Sequence, residues 1–217
     1  MRHGVLLAAA VALSGCGSDQ SSTSTRPPAT PLSRSVARGP TFELGGATFR
    51  IPRSWKRVQL RPSMRSQLRS DHGAHSLDLQ FVPADSSYGR RSLVVTDADL
   101  PVLGITRESL AKSSGSTARL TFSGDPKRFR GEAEIAVREL GLTQGRTHEP
   151  PRDTTLGGRP AISYEDDLPE LGVHGANLFV IALRRGYLYT LTIQVAPRGD
   201  LSGARALLDA VRSSWAW

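Results

Sequence analysis

The chain has 217 residues, 38% of them hydrophobic and 22% charged, which fits one globular domain with its own core and is short for two large ones. Its formal charge is +8 and only three of the bases are lysine (Lys56, Lys112, Lys127); this arginine-dominated surface reads as a coding-sequence bias rather than a nucleic-acid site. A single cysteine excludes an internal disulfide framework and a multi-cysteine metal cluster, and no apolar stretch reaches the roughly 18 residues of a membrane-spanning helix.

Arg2 and His3 give a short positive start, Val5 to Leu13 an apolar run, and Ser14-Gly15 a small-residue close directly before Cys16. This is the layout of a secretory signal. It resembles the lipobox of bacterial lipoproteins, and the resemblance implies that the Cys16 thiol receives a diacylglyceryl group and that the bond from Gly15 to Cys16 is then cut. Two acyl chains satisfy the two-signal requirement for stable anchoring, at about 0.8 kcal/mol per buried methylene. The alternative is an ordinary secreted protein with an accidental cysteine near its cleavage site, or a retained anchor helix. Residues 1–15 are thus expected to be a signal peptide and 16–40, rich in Ser, Thr, Pro and Arg, a lipidated N-terminus and disordered tether. The globular domain is expected over 41–217.

Within that domain Ala47, Phe49 and Ile51 alternate with polar residues and stop at Pro52, which predicts a strand. Leu77, Leu79 and Phe81 predict a second, and Ser92 to Thr96 a third. The segment Thr106 to Lys112 reads as a short helix. Asp125-Pro126 reads as an N-cap with proline at the first helical position, and Phe129, Ala133, Ala136, Val137 and Leu140 then mark one face up to Gly141. Gly157-Gly158 predicts a tight turn into a strand over Pro160 to Tyr164. The strands Asn177 to Leu183 and Tyr187 to Val195 flank Arg184-Arg185-Gly186 as a second hairpin. Asp200 caps a closing helix whose stripe is Leu201, Ala204, Leu208, Val211 and Trp215. This order predicts an α+β fold, an antiparallel sheet covered by helices.

The run Phe49-Arg50-Ile51-Pro52-Arg53-Ser54-Trp55 resembles the F-x-I/V-P-x-x-W opening of the PsbP-like and Mog-type sandwich proteins. Gly157-Gly158-Arg159-Pro160-Ala161 and the closing Ser214-Trp215-Ala216-Trp217 are similar to two further segments of that group, and with a lipobox in front the chain looks nearest to the LpqN/LpqT-like lipoproteins of actinobacteria. The resemblance implies a PsbP-like α/β/α sandwich with a binding or assembly role and no catalysis.

The residues themselves offer little chemistry. There is no Gly-x-Ser-x-Gly elbow, Walker loop, His-Glu-x-x-His or dinucleotide glycine motif. No catalytic residue, cofactor or metal is therefore expected. His72, His75 and Asp78 could meet a metal if a turn joined them, with His148 and His174 reaching it only through the fold, but a solvated loop is the favoured reading. Glu165-Asp166-Asp167 with Glu170 lacks the spacing of a calcium loop and reads as an exposed strand end. Between Arg50 and Arg69 stand seven bases, with Arg65 among them, and no acid, interleaved with Trp55 and Met64. Arg53, Lys56, Arg57 and Arg61 are the candidates for contact with anionic lipid or acidic wall polymer, against the equal alternative of a solvated edge.

These readings combine into a lipid-anchored extracytoplasmic binding or assembly protein on the outer face of the cytoplasmic membrane. Its expected partners are the membrane and an envelope protein, anionic lipid or wall polymer, with no nucleic acid. The alternatives are an envelope hydrolase built from His72, Asp78 and a serine, and a carrier of a lipophilic ligand held between sheet and helix.

Overall fold

A computed structural model describes residues 35–59, 79–86, 101–110, 122–143, 151–167, 176–196 and 199–217. Cys16, the strand expected at Ser92 to Thr96, and Leu77, Glu170, His148 and His174 lie outside them. Among the described residues nine strands, β1 (Thr41–Leu44), β2 (Ala47–Arg50), β3 (Trp55–Arg57), β4 (Leu79–Pro83), β5 (Val102–Ser109), β6 (Arg152–Leu156), β7 (Arg159–Asp167), β8 (Ala176–Arg184) and β9 (Tyr187–Val195), accompany the helices α1 (Phe129–Thr143) and α2 (Leu201–Ser213). Strands β3 to β9 form one antiparallel sheet in the order β3-β4-β5-β9-β8-β7-β6, and β1 and β2 form a separate hairpin.

Because strand side chains alternate between faces, the pairings Ile105↔Leu191, Leu191↔Val180 and Phe81↔Leu103 place one continuous apolar layer on a single face. That face is covered by α2, by the β1–β2 hairpin and by the C-terminal residues, all joined in one buried cluster with Phe49, Ile51, Leu207, Leu208, Val211 and Trp215. The opposite face carries Ile162, Ile181 and Leu188, on which α1 sets Phe129 and Ala133. The architecture is therefore α+β, with a helix on each face of an antiparallel sheet.

Each helix end has a local cause. Asp200 accepts a bond from the Gly203 amide at 2.8 Å and so caps α2. Asp125 accepts from the Lys127 amide at 2.9 Å, and its carbonyl accepts from Phe129 at 3.0 Å. The regular helix α1 starts only after this turn, and it runs two residues past the expected stop at Gly141.

Tight two-residue turns organise one end of the sheet. Leu156 pairs with Arg159 around Gly157-Gly158, and Arg184 pairs with Tyr187 around Arg185-Gly186, so Arg184 belongs to the strand and not to the turn. Leu44 pairs with Ala47 around Gly45-Gly46, a turn not anticipated. All six turn residues have positive φ, from 50° to 82°, the requirement of a type I′ turn, whose twist matches the strands it joins.

Two expectations are corrected. Thr106 to Ser109 is not helical: it is the second half of β5, paired residue by residue with β9 from Thr106↔Thr190 to Ser109↔Tyr187. A long neighbour with free ladder positions overrides weak local helical preference. The packed chain also begins earlier than Thr41, because Val36 is 1% exposed within the main core and the Gly39 amide donates to its carbonyl at 2.9 Å. The end of the supposed tether is thus part of the fold.

The glycines of the β6–β7 turn give a test. A Cβ at Gly157 would lie 2.5 Å from Trp217 Nε1 and 2.9 Å from Trp215 Cδ1, whereas one at Gly158 meets open space. Gly158→Ala should cost about 1 kcal/mol, the left-handed strain alone, and Gly157→Ala about 2–4 kcal/mol, strain plus overpacking. Equal losses in urea melts of the two variants would show that the tryptophans yield.

Candidate functional site

A concave feature among the described residues lies between α2 and the β6–β7–β8 part of the sheet. On α2 the buried stripe is Ala204, Leu207, Leu208, Ala210 and Val211. Arg205, Asp209 and Arg212 follow it at i, i+4 and i+7, so they share a face at the margin of that stripe. Strand alternation turns Arg152, Thr154, Ser163, Glu165, Leu178 and Val180 to the same side. Together these residues line a cleft of about 160 Å³ with an apolar floor and a charged rim.

The rim is wired. Arg205 donates from Nε and Nη2 to the Glu165 carboxylate at 3.1 and 2.6 Å. Arg212 donates from Nη1 to Thr154 Oγ1 at 2.7 Å and to the Thr155 carbonyl at 3.1 Å, and its Nη2 stands 3.1 Å from Asp209. Three guanidiniums face two carboxylates, so the cleft has the charge and the forked donors to hold a small oxyanion. Its lining includes the hydroxyl residues Thr154, Ser163 and Tyr164, and neither imidazole nor thiol. The sequence signal for this cleft was two arginines seven residues apart beside an apolar stripe, which is also the signature of any solvated helix margin.

The structure separates the predicted site residues. The acidic group does not act as a unit: Glu165 is committed to Arg205, Asp166 and Asp167 continue β7, and no group of three or more His, Cys, Asp or Glu converges among the described residues. His72, His75 and Asp78 lie outside those residues, as do Arg61, Met64, Arg65 and Arg69. Of the basic candidates, Lys56 spends its ammonium on the Ala84 and Ser86 carbonyls at 2.7 and 2.5 Å, and Arg53 donates to the Arg38 carbonyl at 3.2 Å. Arg50 donates to the Ala37 carbonyl. These bases clasp the chain's own turns, and Arg57 stands exposed beside them.

Inward of that cleft the layer between the sheet and α2 is packed among the described residues. Leu178, Val180, Leu191, Leu207, Leu208 and Val211 occupy the layer between the sheet and α2. Among the described residues no helix is long and apolar enough to cross a membrane.

No family model matches the sequence, and no curated protein matches it. Among solved structures the chain is similar to cyanobacterial PsbP (CyanoP) from Synechocystis sp. PCC 6803, with 15% identity and a TM-score of 0.42 over 81% of this chain and 90% of that one. It is also similar to a protein from Bacteroides thetaiotaomicron, with 10% identity and a TM-score of 0.41, spanning about half of that longer chain (47%) and 80% of this one.

The two arginines of the rim should differ in weight. Arg205 is 53% exposed, so Arg205→Ala should cost under about 1 kcal/mol. Arg212 is 24% exposed and bonds a hydroxyl and an edge-strand carbonyl, so Arg212→Ala should cost about 1.5–3 kcal/mol. Thermal melts of both variants check the ranking, and a larger loss for Arg205→Ala would reverse it.

Proposed function

We propose that this chain is a lipid-anchored extracytoplasmic binding or assembly protein of the cell envelope, with no chemistry of its own. The observation that carries the reading is the apolar run Val5 to Leu13 closed by Ser14-Gly15 before the chain's single cysteine. The diacylglyceryl chains on Cys16 hold the protein at the outer face of the cytoplasmic membrane, and residues 17–34, poor in apolar side chains, link the anchor to the fold, in which Val36 is buried. The fold then presents surfaces, in the manner implied by the resemblance to PsbP-like and LpqN/LpqT-like proteins. The arginine-rimmed cleft beside α2 fits recognition of an acidic group.

Cys16→Ala tests the anchor. The variant should leave the detergent phase and accumulate as an uncleaved precursor. Unchanged partitioning together with unchanged processing would remove the basis of the reading.

A further inference from the structure

The strongest unassigned feature is the end of the sheet formed by the β6–β7 and β8–β9 turns. Arg184 pairs with Tyr187 at the last rung of β8 and β9, and Arg159 pairs with Leu156 at the last rung of β6 and β7. Arg185 occupies the β8–β9 turn. The packing beneath is aromatic: the Arg184 guanidinium lies 4.6 Å from the Trp217 ring centre and Arg107 lies 3.6 Å from that of Tyr187. Trp217 is fixed in turn by its indole N–H, which donates to the Leu156 carbonyl at 2.8 Å. Such stacking holds cations in place without neutralising them.

Three observations mark this end as a working surface. First, among the described residues none of Arg159, Arg184 and Arg185 has a carboxylate partner, whereas Arg130, Arg205 and Arg212 each do. Glu108, the acid of the adjoining strand, pairs with Leu188 and so projects from the other face of the sheet than Arg184 and Tyr187. Second, the turn tips face open space: a Cβ at Gly158 or Gly186 would meet no atom within 4 Å. Third, Arg185 is the one non-glycine among the described residues with positive φ, at 50°. A glycine or asparagine would take this place with less strain. A residue that keeps a cation at an exposed tip against a conformational cost points to a use for the cation.

We propose that this end of the sheet docks on anionic lipid headgroups through Arg159, Arg184 and Arg185, with Tyr187 and Trp217 as the aromatic base. Unpaired cations flanked by Trp and Tyr match the headgroup layer, where the charges meet phosphates and the amphipathic rings are at home. The segment Arg50 to Arg57 lies at the other end of the strands, with Arg50, Arg53 and Lys56 on backbone carbonyls and Arg57 exposed, so it serves as the comparison surface for the turns. The preceding reading supplies only the nearness of a bilayer; the docking is a property of the folded chain without its lipid.

The test uses the processed chain, residues 16–217, with Cys16→Ser so that no lipid is attached. Sedimentation is measured with phosphatidylglycerol-rich vesicles and with pure phosphatidylcholine vesicles, at low and at high salt. Binding should be confined to the anionic vesicles and fall with salt. Arg159→Gln with Arg185→Gly should weaken it about fivefold per arginine, roughly twenty-five-fold together. The charge-matched pair Arg53→Gln with Arg57→Gln should leave it within a factor of two or so. Arg185→Gly alone should bind less while melting higher, since it relieves the left-handed strain, so lost binding cannot be put down to lost folding. Equal binding to neutral vesicles, an equal loss from the Arg53/Arg57 pair, or capture by soluble polyphosphate in preference to vesicles would each overturn the proposal. Failure of the Cys16→Ala processing test would leave these vesicle results standing.

Discussion

Trp215 lying flat on Phe49 is the contact on which the rest of the core depends. The ring centres are 4.9 Å apart with 9° between the planes, and Phe49 also meets Phe81 edge-on at 6.3 Å. Helix α2 alone does not cover the sheet; the remaining area is closed by the β1–β2 hairpin and by the residues after α2. Those two pieces are stitched by reciprocal bonds of 2.8 Å between Thr48 and Ala216, and the Ser214 hydroxyl accepts from the Arg50 amide at 2.9 Å. Aromatic pairs of this kind add about 0.5–1.5 kcal/mol each beyond their area. Trp215 makes three of them, with Phe49, Tyr189 and Trp217.

The guanidinium groups divide by environment. Some clasp carbonyls (Arg50, Arg53, Arg212), some bridge to carboxylates (Arg130, Arg205), and some lie on rings (Arg107, Arg184). On edge strand β6 two of them act from opposite faces: Arg130 of α1 pairs with Asp153, and Arg212 of α2 takes Thr154 and the Thr155 carbonyl. A charged, occupied edge resists pairing with another strand. A planar five-donor fork suits each of these uses, which a point-like ammonium would serve less well. A high arginine content here therefore has structural consequences even if it arose from codon bias.

The sequence was legible where local rules suffice. Alternation at Ala47, Phe49 and Ile51 put all three in the core, Asp200 announced α2, and Gly157-Gly158 announced its turn. The readings that failed depend on partners remote in the chain. Thr106 to Ser109 extends because β9 lies alongside it, and Val36 is buried because Ile51 and its neighbours receive it. Lys56 resembled an outward charge because nothing in its own segment shows that two carbonyls nearly thirty residues on will surround its ammonium. The cleft was hidden for the same reason: its arginines come from a helix and its acid and hydroxyls from strands forty to sixty residues earlier.

The bridge from Thr48 to Ala216 also governs when the protein can fold. A contact between residues so far apart closes a large loop, and such topologies form slowly. At about 5–20 residues per second of synthesis, the N-terminal hairpin waits roughly 10–30 s for the residues that cover Phe49. Until then Phe49 and the rings around it lack the cover that Trp215 gives them.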